Sequence, residues 1–139
     1  MPFVTLEPLL SHKVLRWVSG VSALVALVML GLGIAVWLGN PTLLSSHQYT
    51  GYLFLLTTLL AALSSLSYGR QAHDRGIIAH GFGVFGLAVV QLAIGELGWR
   101  VPHIILGIVV CLGAIALFTL SLRQPRVVTS GTAPHTQEH

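Results

Sequence analysis

Two histidines each open an apolar run, and each is followed four residues later by a glycine: His47-Gln48-Tyr49-Thr50-Gly51 and His103-Ile104-Ile105-Leu106-Gly107. Neutral imidazole is a strong ligand for iron and other transition metals. One histidine at a helix start says little, because a polar residue at a wet helix end needs no special reason. Two at matched depth, on runs that travel in the same direction, point to two axial ligands on one metal. Residues four apart share a helical face. Gly51 and Gly107 therefore remove bulk one turn below each ring, where a flat cofactor would stand. The H-x-x-x-G spacing is permissive by itself, and its weight here comes from being repeated.

Other polar residues surround this pair. Gln91 falls on one stripe with His80, Val84, Leu87 and Gly95 at helical spacing. A polar group inside a membrane span is costly and faces the bundle interior, so Gln91 and His80 are expected to point inward. Gln91 lies towards the His47/His103 end, placed either to donate to a cofactor edge or to bond a neighbouring helix. His80 lies towards the opposite end, where a second metal site with His12 is the further option. Glu96 and Arg100 flank the third connection. Arg100 could hold a cofactor carboxylate through paired hydrogen bonds. Glu96 could carry a proton, act as the one candidate catalytic acid, or pair with Arg100. His73, beside Asp74, reads as a solvated loop residue, and His135 and His139 belong to the tail.

The composition sets the elements that must position these groups. Of 139 residues, 54% are hydrophobic and only 8% are charged, against about 25% charged in a soluble domain. Lipid is therefore the main solvent and the bilayer the first partner. The net charge of +3 is small and scattered, which excludes nucleic acid as a partner. A lone cysteine, Cys111, excludes an internal disulfide or thiolate cluster. Four apolar runs cover residues 15–38, 47–68, 76–97 and 101–122, each near the ~20 residues that span a bilayer as helix. No short leader with a cleavage site is evident, so the first run is expected to remain as a span.

The expectation is an all-α membrane protein, with four transmembrane helices in an up-down-up-down bundle over residues 1–126. A flexible polar tail over residues 127–139 follows. Lys13, Arg16, Arg70, Arg75, Arg123 and Arg126 share one side, which places both termini in the cytoplasm. Small residues at Gly31, Gly33, Ala61, Ala62, Ser64, Ser65, Ser67, Gly81, Gly83 and Gly86 read as helix-packing surfaces.

In such a bundle the second and fourth helices are diagonal. Axes about 8–10 Å apart at the edges lie about 13 Å apart across the diagonal, a gap that suits two imidazoles on one haem iron. One haem b is the expected cofactor, with a second at His80 and His12 as the further option.

The stretch from His47 to about residue 112 resembles one four-helix half of the heme A synthase family, or a related small four-helix membrane b-type cytochrome. The matching text is His47 to Gly51, Gln91-Leu92-Ala93-Ile94-Gly95 and Val101-Pro102-His103-Ile104-Ile105-Leu106-Gly107. The resemblance implies histidine ligation of haem at the outer ends of the second and fourth helices, with half-length chains working as homodimers. It departs where the synthase carries an acid three residues before the first histidine, since Leu44 stands here.

Three functions follow as expectations. The first is a bis-histidine haem protein in electron transfer, or a haem-carrying subunit of a membrane redox complex. The second is a cofactor-free accessory subunit packed among other membrane subunits. The third is synthase-like haem oxidation using Glu96. The first two outrank an independent enzyme, and the expected location is a prokaryotic plasma membrane.

Overall fold

A computed structural model describes residues 7–123, so the tail expected over residues 127–139, with His135 and His139, lies outside the described residues. Four helices make up the fold: α1 (Glu7–Trp37), α2 (Leu44–Gln71), α3 (Arg75–Glu96) and α4 (Arg100–Ser121), with a short 3₁₀ turn (Pro41–Leu43) ahead of α2. All four are long and apolar enough to cross a membrane. Among the described residues there is no strand.

The helix ends follow from local chemistry. α1 stops where Gly39 takes a φ of 97° and the Asn40 N–H turns back to the Ala35 carbonyl. α3 stops in the same way, with Gly98 at φ 72° and the Trp99 N–H on the Ile94 carbonyl. Both are six-residue reverse bonds that satisfy the last carbonyls of a helix, and both need a residue free to enter the left-handed region. His73 (φ 52°) fills that position after α2, and Asp74 then caps α3 by accepting from the Ile77 N–H. His73 is thus an exposed loop residue with a conformational role.

Consecutive helices pack on one another, and α4 closes the ring onto α1. The contacts run antiparallel throughout. Ser22 bonds Thr57 between α1 and α2, Gly81 lies against Ser65 between α2 and α3, His80 reaches Gly113 between α3 and α4, and Ser19 bonds Ser121 between α1 and α4. This is the up-down-up-down bundle, and it leaves α2 and α4 on a diagonal. The outward faces carry Leu24, Leu27, Leu56, Leu63, Ile108 and Leu112, side chains suited to acyl chains.

The interior divides along the bundle axis. At the end holding both helix termini, Leu15, Ala61, Tyr68, Ile77 and Leu117 pack together. In the middle, Ala26, Met29, Phe54, Val84, Ala88, Val110, Cys111 and Ala114 form a second apolar cluster. Beyond Phe54 and Ala88 the filling stops, and a cavity of about 780 Å³ opens between the four helices.

Candidate cofactor site

His47 and His103 are each the fourth residue of their helix, on α2 and α4, and both line this cavity. Their ring centroids are 6.0 Å apart and their planes cross at 81°. An imidazole–metal bond is about 2 Å, and adding about 1 Å from nitrogen to ring centre on each side places two rings that share a metal about 6 Å apart. The diagonal pair therefore meets the spacing for a common metal.

The orientation of each ring is fixed from behind. His47 Nδ1 lies 3.2 Å from the Met29 carbonyl oxygen on α1, and His103 Nδ1 lies 3.1 Å from the Gln91 carbonyl oxygen on α3. A carbonyl oxygen can only accept, so Nδ1 donates in both rings. In the neutral ring that leaves a lone pair on Nε2, the atom a metal would take. A ligating histidine characteristically gives its other N–H to a carbonyl or carboxylate in this way.

Two glycines make the placement possible. A Cβ built on Gly33 would lie 3.1 Å from His47 Cε1, and one built on Gly95 would lie 2.8 Å from His103 Cε1. Each histidine thus packs against a glycine of the preceding helix, one turn after the carbonyl that holds it. The whole arrangement is duplicated. Val28-Met29-Leu30-Gly31-Leu32-Gly33 followed by Trp37 matches Val90-Gln91-Leu92-Ala93-Ile94-Gly95 followed by Trp99 at a constant offset. The α1–α2 hairpin and the α3–α4 hairpin build the same half-site. Gly33 and the Met29 carbonyl are absent from the site read from sequence, Gly95 entered it only through its stripe with Gln91 and the stretch Gln91 to Gly95, and this repeat is the signal that ties all three to the rings.

The other residues singled out in the sequence take the following places. Gln91 is 5% exposed and lines the cavity. Its Nε2 donates to the His103 carbonyl at 2.7 Å, and its Oε1 is buried with no partner among the described residues. Gly51 borders the cavity with no atom within 4 Å of a built Cβ, whereas a Cβ on Gly107 would lie 2.8 Å from Gln91 Nε2. The room at Gly107 is thus taken by the glutamine amide.

Glu96 and Arg100 stand at the rim. Glu96 Oε1 accepts from Tyr52 Oη at 3.0 Å, and the Arg100 guanidinium lies 5.5 Å from the centre of the Trp37 ring. Gln48, Trp37 and Trp99 line the same rim.

His80 and His12 are far from this cavity in the fold. His80 Nε2 meets the Gly113 carbonyl at 3.0 Å, and His12 Nε2 meets the Arg123 carbonyl at 3.1 Å, with the His12 ring against Tyr68. Each of these two rings thus has a nitrogen engaged by an α4-side carbonyl. Among the described residues no group of three or more His, Cys, Asp or Glu side chains gathers as a metal site. Compared with protein-family models, with curated proteins and with solved structures, the chain matches none.

Proposed function

We propose that the protein is a membrane haem b carrier with His47 and His103 as axial ligands, acting in electron transfer or as the haem-bearing subunit of a membrane redox complex. The observation that carries this reading is the pair of imidazoles 6.0 Å apart, each with Nδ1 turned to a carbonyl. Two side chains alone hold a transition metal poorly. The remaining ligands must come from the cofactor, and a macrocycle supplies them in one plane. The cavity of about 780 Å³ is within the about 300–1,000 Å³ usual for bound cofactors. Its walls are mostly apolar, with Gln48, Glu96 and Arg100 at the mouth, so a ring edge bearing carboxylates suits that end and Arg100 suits the carboxylates.

Bound haem would supply one-electron exchange between ferric and ferrous iron. The chain's part is to hold both rings in the Nδ1–H form, exclude water with Phe54, Met29 and Ala88, and set the pair's depth. The positive residues Lys13, Arg16, Arg70, Arg75 and Arg123 lie at the end opposite the cavity, which supports cytoplasmic termini and a haem near the outer face of a prokaryotic plasma membrane. The test is the visible spectrum of the full chain purified in detergent after haem supplementation. A Soret band with split low-spin α and β bands is expected. Those low-spin bands should vanish in both His47→Ala and His103→Ala. A colourless protein, or variants indistinguishable from the parent, would overturn the reading.

A further inference from the structure

The two half-sites are copies in outline but not in grip. His103 is held three ways: Nδ1 on the Gln91 carbonyl, its own carbonyl on Gln91 Nε2 at 2.7 Å, and its ring against Gly95, where a Cβ would stand only 2.8 Å from Cε1 and 3.0 Å from Nδ1. His47 has one such bond, to the Met29 carbonyl, and a looser glycine, with 3.1 and 3.5 Å for the same two atoms. The residue of α1 that matches Gln91 is Met29, whose thioether has no N–H to give the His47 carbonyl. The space one turn below each ring differs in the same sense. Gln91 fills it at Gly107, and at Gly51 a Cβ would meet no described atom within 4 Å. The approach to the helices differs as well. α4 follows α3 through Leu97–Trp99 alone, while α2 is reached through a 3₁₀ turn and a longer connection.

We infer that His47 is the exchangeable member of the pair, and that the space over Gly51 admits a small neutral diatomic ligand to the iron on that side. This rests on the haem reading above. The exchange is a ligand substitution. In the haem-loaded protein His47 Nε2 would leave the metal, the diatomic molecule would take its place, His47 would keep its Nδ1–H, and no electron would be transferred. A ligand of the carbon monoxide class, which binds ferrous haem, is the probe.

The experiment uses the haem-loaded full chain in detergent, reduced with dithionite and exposed to carbon monoxide. The expected result is a shift of the Soret band typical of carbonyl formation, without loss of haem. His47→Ala should keep its haem with a high-spin spectrum and bind carbon monoxide at least tenfold more tightly than the parent. His103→Ala should release its haem. Gly51→Leu should lower the carbon monoxide response per bound haem at least tenfold. A low-spin haem indifferent to carbon monoxide would overturn this inference and leave the bis-histidine reading standing, whereas no Soret band at all overturns both. Haem retained by His103→Ala and lost by His47→Ala would assign the labile side to the other ring. Loss of haem from Gly51→Leu would assign its space to the macrocycle and also overturn the diatomic site.

Discussion

At the residue scale, the site depends on side chains that are missing as much as on those present. Gly95 has no room for a methyl group, since its Cβ would come within 3.0 Å of two atoms of the His103 ring, whereas at Gly33 the nearest distance is 3.1 Å. Gly95→Ala must therefore push His103 off its carbonyl, while Gly33→Ala asks His47 to give by a few tenths of an ångström. Changes to groups that orient a metal ligand commonly cost about 10–100-fold in metal affinity. Haem retained through gel filtration should fall about tenfold or more in Gly95→Ala and less in Gly33→Ala, read from the Soret-to-protein absorbance ratio. Equal retention in the two variants would mean the rings are not wedged as described. The pairing of the two histidines was an expectation of the sequence, because the spacing of each to its glycine (Gly51, Gly107) lies within one helix and recurs on a second. Gly33 was not tied to His47, because it lies on the preceding helix, and Gly95 was marked only through its stripe with Gln91. Only the matched pattern of Val28 to Trp37 and Val90 to Trp99 ties those positions to the rings.

At the element scale, four runs of apolar residues were enough to count the helices, but not to place every face. On α3 the buried seam is Ile77, Gly81, Val84, Ala88 and Gln91. Leu87, expected to share the inward stripe with Gln91, is 38% exposed. In an apolar helix nearly every face is hydrophobic, so periodicity loses its contrast. What selects the seam is the smallness of Gly81 and Ala88. Gly81 is a close approach of α3 to α2, since its Cβ would lie 2.5 Å from Ser65 Oγ and 3.4 Å from the Ala62 Cα. Overpacking a tight contact costs about 1–3 kcal/mol, so Gly81→Ala should lower the thermal midpoint in detergent by several degrees. Ser65→Ala in the same chain should recover part of that loss by removing the hydroxyl in the way. Across the other seam, Ser19 Oγ donates to Ser121 Oγ at 3.0 Å with both residues fully buried. Such bonds within membranes average about 0.6 kcal/mol. Ser121→Ala should therefore shift the same midpoint only slightly, and a shift as large as that of Gly81→Ala would place the main stabilisation in polar pairs, not in close packing.

At the scale of the whole molecule, two helical hairpins with matching half-sites enclose a cavity at one end, and the basic residues collect at the other. The hollow end carries little charge beyond Glu96 and Arg100, and these sit at its rim beside Tyr52 and Trp37. A chain with an even number of spans returns its ends to one face, and the bias of Lys and Arg decides which face that is. Under the proposed function, Lys13, Arg16, Arg70, Arg75 and Arg123 would put the end bearing the α2–α3 loop in the cytoplasm. The cavity mouth and the α1–α2 loop would then face outward. The native Cys111 is buried, so single cysteines introduced elsewhere report topology against a quiet background. Asn40 and His73 are both exposed, in loops at opposite ends of the bundle. With a membrane-impermeant maleimide on intact cells, Asn40→Cys should label fully and His73→Cys only after permeabilisation. The reverse pattern would turn the bundle over, putting the rings on the cytoplasmic side with any partner that exchanges electrons there. Labelling of both without permeabilisation would contradict an antiparallel bundle lodged across a membrane.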